Sequence, residues 1–143
     1  MAKTYDMGLK PVTFKAGEAL DDNLYYVVTS VASAADYVEL GSAGCDPAPI
    51  GISQSDSASS VGDDVPVVMF GPTKAWAAAC DVGGETCPIQ NGDVLTCGSN
   101  AMLFRAGSGG AYCARALGAL STGSGIINVF FLGPIASQAT GAS

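Results

Sequence analysis

Three of the chain's five cysteines fall within residues 80–97, CDVGGETCPIQNGDVLTC, and the sequence of 143 residues contains no histidine. Sulfur at this density has two ordinary uses, a metal centre and a disulfide. A structural zinc takes four Cys or His ligands, usually in tight pairs, because one short knuckle must aim two thiolates at one ion. Here Cys80, Cys87, Cys97 and Cys113 are spaced C-x6-C-x9-C-x15-C, with no imidazole to complete a set. That spacing disfavours a metal. A disulfide between two of Cys80, Cys87 and Cys97 fits better, since it closes a Gly-rich loop with little core of its own. Closing a loop of about 7–17 residues is worth on the order of 3 kcal/mol where the geometry is unstrained. Cys113 sits at an alternating position of AYCARAL, where a thiol behaves as a small buried hydrophobe, and Cys45 precedes Asp-Pro in a loop. Both are expected to be thiols.

Other candidate chemistry meets the same obstacle. A serine or cysteine nucleophile needs a base to take its proton, and the missing histidine removes the usual one. The serine-rich stretch SQSDSASS therefore reads as a turn. RAGSGGAY (105–112) resembles a phosphate loop in composition only, because it lacks the Gly-Lys-Ser/Thr ending. The acid pairs Asp21/Asp22 and Asp63/Asp64 do not follow the twelve-residue calcium-loop spacing, and read as solvated turn acids. Trp76, Tyr25-Tyr26 and Phe130-Phe131 are candidates for a binding surface, since large aromatics carry much interface energy. Adjacent aromatics on a strand point to opposite faces, so at least one of each pair belongs to the core.

The elements that must hold these residues are strands. Charged residues are 13% of the chain, hydrophobic ones 48%, and glycine supplies 19 positions, which argues for a β-rich globular protein rather than a disordered or mainly helical one. Extended segments are expected at 9–14, 24–31, 50–54, 65–71, 73–79, 93–97, 101–106, 111–117 and 126–133. Residues 32–40 are ambiguous between a short helix and a strand at YVEL; strand is favoured. Strands recurring every 10–15 residues or so suggest a small barrel or sandwich. The expected organisation is an N-terminal arm or first strand over 1–15, a single β-rich domain over 16–134, and a small-residue tail over 135–143.

A faint internal echo accompanies this pattern. Residues 50–72 and 112–134 each run strand, Ser/Gly turn, apolar strand, then Gly-Pro, with Ser59/Ser121, Val67/Val129, Gly71/Gly133 and Pro72/Pro134 matching. Four matches describe a recurrent hairpin grammar. Each Gly-Pro pair is expected to stop its strand at equivalent corners of the sheet system, because proline cannot donate to a ladder.

Net charge is −7 and the six Lys and Arg are scattered singly, so no basic stripe exists to neutralise phosphates. Nucleic acid is not an expected partner. The first residues lack the apolar core of a signal peptide, and no stretch approaches 18 uninterrupted apolar residues, so no membrane contact is expected either. The chain is expected to be made and kept in the cytosol until it is assembled or released.

The phrases MAKTYDMGLKPVTFKAG, PIGISQSD, FGPTK, GAYCARAL and INVFFLGP, in that order over residues 1–134, resemble the small capsid decoration proteins of tailed bacteriophages, also called head-stabilising or cement proteins. The cysteine segment 80–97 departs from the family pattern. The resemblance implies a compact all-β domain with an extended N-terminal arm. It also implies a place on the outer capsid surface of the virion, commonly as a homotrimer, bridging neighbouring copies of the major capsid protein. It brings no catalysis, cofactor or metal. An adhesin or receptor-binding domain on the virion is the alternative. Tyr5, Met7, Leu9, Pro11 and Phe14 are the expected partner-binding residues, because proline and exposed apolar side chains at a terminus favour ordering on a partner. An ordinary first strand would use the same residues internally.

Overall fold

The computed structural model describes residues 11–42, 48–79, 87–98, 100–106 and 110–135. Among the described residues there is no helix, and ten strands carry the fold. They are β1 (Val12–Ala16), β2 (Val27–Ser30), β3 (Tyr37–Leu40), β4 (Pro49–Ser53), β5 (Asp64–Val68), β6 (Gly71–Ala78), β7 (Val94–Cys97), β8 (Leu103–Arg105), β9 (Tyr112–Ala116) and β10 (Ser124–Ile135). The protein is all-β, as the composition implies, and each strand falls within or beside an expected extended segment. Residues 32–40 resolve to the strand reading, with β3 at YVEL. β2 begins three residues later than expected because Tyr25 has a left-handed backbone, φ 71°, which turns the chain before Val27.

The strands close into two five-stranded barrels, in the order β1-β3-β2-β4-β5 and β6-β8-β7-β9-β10. Connectivity is the same in both. The first strand runs parallel to the third and antiparallel to the fifth, the second is antiparallel to the third and fourth, and the fourth is antiparallel to the fifth.

Register matches as well. Val67 faces Val12, and Val129 faces Thr73. From the first strand to the third, Ala16 faces Val38 and Ala77 faces Leu103. From the third to the second, Val38 faces Ser30 and Leu103 faces Cys97. Two residues back along the second strand, Val28 faces Gly51 and Leu95 faces Ala114. The next residues, Ile52 and Arg115, face Val68 and Phe130, each one position past the starting valines. The circuit closes with no slip. Since a shift of one residue would turn every side chain to the other face, this agreement makes the two barrels copies of one structural unit.

Burial follows the same equivalence: Val67/Val129, Ala16/Ala77, Val38/Leu103 and Val28/Leu95 are all fully buried. So do hydrogen bonds outside the ladders. Gly41 N–H to Val27 O corresponds to Ala106 N–H to Val94 O, both 2.9 Å, and Gln54 N–H to Pro66 O (2.8 Å) corresponds to Leu117 N–H to Asn128 O (2.9 Å). The faint echo of the sequence thus falls on equivalent strands, β4–β5 and β9–β10.

One expectation is corrected. Neither Gly-Pro pair stops its strand: Gly71-Pro72 opens β6, and Gly133-Pro134 lies inside β10, across a register shift between Phe131 and Ile135. Both glycines have positive φ, 116° and 88°, four residues beyond Val67 and Val129. Pro72 is tolerated because β6 has a strand neighbour on one side only at that level, so no second ladder needs its amide.

The barrels are joined. Val27 and Ile52 of the first enter the main hydrophobic cluster of the second, with Phe131, Leu95, Leu103 and Val129. Across the boundary, Trp76 N–H donates to Tyr25 O (3.0 Å) and Val27 N–H to Ala101 O (2.9 Å). Gln54 Nε2 donates to Thr73 Oγ1 (2.9 Å).

Candidate docking face

β6 and β10 pair from Gly71↔Phe131 to Ala78↔Ser124. Alternation sends Ala75, Ala77, Ile127, Val129 and Phe131 into the core, where each is buried. The opposite face carries the cross-strand pairs Pro72–Phe130, Lys74–Asn128 and Trp76–Ile126. Phe70 extends this face by an edge-on contact with Phe130, ring centroids 5.2 Å apart and planes at 89°. Tyr26 lies 6.0 Å from Trp76 at its other end. Phe70 remains 56% and Ile126 45% exposed, so large apolar side chains are open to solvent along the ribbon. An open depression of about 400 Å³ on the same ribbon is lined by Pro72, Thr73, Lys74, Leu117, Asn128 and Val129.

The charge of the face is one-sided. Arg115, opposite Phe130 on β9, joins Lys74, and strands β6, β9 and β10 contain no Asp or Glu. Arg115 Nη1 donates to Gly92 O at 2.8 Å, which fixes its guanidinium. Among the described residues, Lys15 and Asp64 on the other barrel form an ion pair, whereas Lys74 and Arg115 have no carboxylate within ion-pair distance.

The first barrel supplies an internal control. The equivalents of Lys74–Asn128 and Trp76–Ile126 are Thr13–Pro66 and Lys15–Asp64. Lys15 Nζ lies 3.0 Å from Asp64 Oδ1, and that hydrogen bond and charge hold the ammonium above the usual lysine range. One ribbon is thus capped by a solvated ion pair, and its structural twin by Trp and Ile. Isolated exposed hydrophobes are ordinary, but an apolar patch where the same architecture elsewhere is polar marks an interaction surface.

The expected site residues are placed as follows. Tyr5, Met7 and Leu9 lie outside the described residues. Pro11 is exposed ahead of β1, whereas Phe14 is half-buried against the core of the first barrel, with Ala16, Val38 and Val65. Phe14 therefore serves the fold. Cys80 lies outside the described residues; Cys87 is disulfide-bonded. Cys97 is corrected: it is a buried thiol, with Sγ 3.4 Å from Gly98 O, because it sits on β7 against the first barrel. A methyl group on Gly41 would stand 3.0 Å from its sulfur. Cys113 is likewise a buried thiol.

Sequence reasoning singled out Trp76, Tyr26 and Phe130, but not that they share a face. The signal was present as alternation, Pro72-Lys74-Trp76 and Ile126-Asn128-Phe130; what it lacked was the pairing of segments far apart in the chain. Among the described residues no group of three or more His, Cys, Asp or Glu is placed to hold a metal. What the face offers is adhesion: apolar area, aromatic edges and two cations. No protein-family model matches the chain, and no curated protein matches it.

Proposed function

We propose that the protein is a structural capsid decoration protein, adhering through the β6–β10 face to the outer surface of an assembled phage head and stabilising it by bridging neighbouring capsid subunits. The observation that carries this reading is the apolar run of Phe70, Phe130 and Ile126 beside the cations Lys74 and Arg115, on a ribbon whose twin ends in the solvated pair Lys15–Asp64. The ordered phrases that resemble the decoration family support the same reading, as does a histidine-free sequence with no nucleophile and base set. On this reading the partner is the major capsid protein, the location is the virion surface, and copies assemble as a homotrimer. There is no catalysis, no cofactor and no contact with nucleic acid or membrane. A lattice repeats each contact many times, so a modest face suffices.

The test is co-sedimentation with empty heads of the phage that encodes the protein, with copy number per particle counted by quantitative mass spectrometry. Hundreds of copies spread over the head are expected. Ile126→Asp should lower shell affinity at least about tenfold, as for a central interface residue. A handful of copies at one vertex or at the tail would replace decoration with adhesion to a host surface.

A further inference from the structure

The contact between the two barrels within one chain is head-to-tail: the first uses Tyr25, Val27, Ile52 and Gln54, and the second answers with Thr73, Trp76 and Ala101. Because the barrels are copies in matching register, each also carries the half of this contact that its twin uses. On the second barrel the equivalents of Val27, Ile52 and Gln54 are Val94, Arg115 and Leu117. On the first barrel the equivalents of Thr73, Trp76 and Ala101 are Val12, Lys15 and Asp36. Among the described residues, no barrel lies against these end faces. We propose that copies of this protein associate head-to-tail, the second barrel of one docking on the first barrel of the next as the two barrels dock within a chain.

Three observations support a second copy as the occupant. First, Gln54 and Thr73, which bond directly, are replaced at the ends by Leu117 and Val12, both apolar and 45% and 48% exposed. A polar pair inside the chain becomes an apolar pair divided between its two ends. Second, Val27, which bonds to Ala101, has Ile52 as its cross-strand neighbour; the corresponding end residues place Arg115 on one side and Asp36 on the other, with opposite charge. Third, charge is divided between the barrels. Residues 11–70 contain nine acids and one base, Lys15, whereas residues 71–135 contain three of each. Contact between two first barrels is repulsive; contact of first with second is not.

The ends also explain how a single copy stays soluble. Trp76 N–H and Ala101 C=O bond across the internal boundary, but their equivalents Lys15 N–H and Asp36 C=O bond to each other, at 2.8 Å. The Gly92 carbonyl, equivalent to that of Tyr25, takes the Arg115 guanidinium. Lys15 N–H, Asp36 C=O and Gly92 C=O are thus already bonded at the ends, so the contact between copies rests mainly on side chains and is reversible, weaker than the internal one. Such a heterologous contact closes into a ring or runs on as a filament, according to its rotation. Arg115 and Leu117 also belong to the face proposed for the shell, so the two contacts compete for them; the test uses the protein alone, without heads, so that its outcome bears on self-association and not on decoration.

Val12→Cys and Leu117→Cys variants test it, since both positions are half exposed and circular dichroism checks each fold. The variants are mixed and treated with a short bis-maleimide. A covalent dimer in the mixture, absent from each variant alone and from the parent protein, is the expected result. Arg115→Glu in the Leu117→Cys chain should cut its yield severalfold, and Asp36→Lys in the Val12→Cys chain should restore it. No dimer in the mixture, while each introduced thiol reacts fully with a simple maleimide, overturns the proposal and identifies the two ends as caps.

Discussion

Asp36 and Ala101 occupy the same place in the two barrels, two residues before Val38 and Leu103, and both hold a left-handed backbone, φ 66° and 64°. Two different side chains thus accept a conformation that costs about 1–2 kcal/mol for a residue with a Cβ, because the barrel closure imposes it. Asparagine-like side chains tolerate this region and β-branched ones do not. Ala101→Val is therefore expected to lower stability by about 2 kcal/mol or more, and Asp36→Ala to change it by less than about 1 kcal/mol, since alanine already serves at the twin site. Urea unfolding of both variants measures the contrast; equal losses would mean that the turn is not constrained in the same way.

Gly51 and Ala114 are also equivalent, yet they are not interchangeable. A Cβ on Gly51 would stand 2.4 Å from both Val67 Cγ1 and Val68 O, the latter a backbone atom that cannot turn aside. Gly51→Ala is expected to cost about 2–3 kcal/mol through overpacking, with Ala114→Gly losing about 1 kcal/mol for strand propensity. Denaturant midpoints give both values. A neutral Gly51→Ala would show that β4 can move away from β5.

Much of this fold is legible in the sequence because its strands are local events. Val, Ile and Tyr bounded by Gly, Pro and Asp announce β4, β7, β9 and β10 within a residue or two of where they form. The pairing is not legible. β1 meets β5 across some 50 residues and β6 meets β10 across a similar span, and nothing in local periodicity encodes which distant strand is the partner. Hence Trp76 and Phe130 are visible as candidates while their common face is not. The same limit hides the twin barrels: the echo between 50–72 and 112–134 matches at four positions, but the two units share a register rather than a sequence. Gly71-Pro72 misleads for a related reason, since proline ends a strand only where a ladder needs its amide.

Cys87 is disulfide-bonded while Cys97 and Cys113 are buried thiols. The Cys87 amide donates to Ala79 O at 2.8 Å, which keeps the chain just after β6 beside Cys87. Non-reducing peptide mapping is expected to join Cys87 to Cys80, the residue covalently next to Ala79. Cys97 and Cys113 should resist alkylation until the protein is unfolded. Reduction should lower stability by about 2–4 kcal/mol, the ordinary worth of closing a short loop. Recovery of a peptide linking Cys87 to Cys97 would contradict the placement of β7.

Lys15 and Asp64 form an exposed pair, with side chains 50% and 68% accessible. The raised lysine value favours the charged form in the folded state, so its contribution is present below the usual lysine pKa and fades as pH rises through the folded-state value. Between pH 6 and about 9 the pair adds no pH dependence. Asp64→Asn should leave the melting temperature near neutral pH unchanged within error, because water and salt screen such pairs. A clear loss would mean that the pair organises the β1–β5 ribbon rather than merely covering it.

Trp76 is the sole tryptophan and lies on the proposed docking face, half-buried between Ile126 and Tyr26. Its indole therefore reports on that face without labelling. Covering the face removes water from the ring, so emission is expected to shift to shorter wavelength when the protein is added to empty heads, and to remain unchanged with Ile126→Asp at the same concentration. The parallel control is Lys15→Ala, which alters the twin ribbon and should leave the shift intact. If particles bind the protein with no change at Trp76, the contact lies elsewhere, and the apolar face is then left for a different partner.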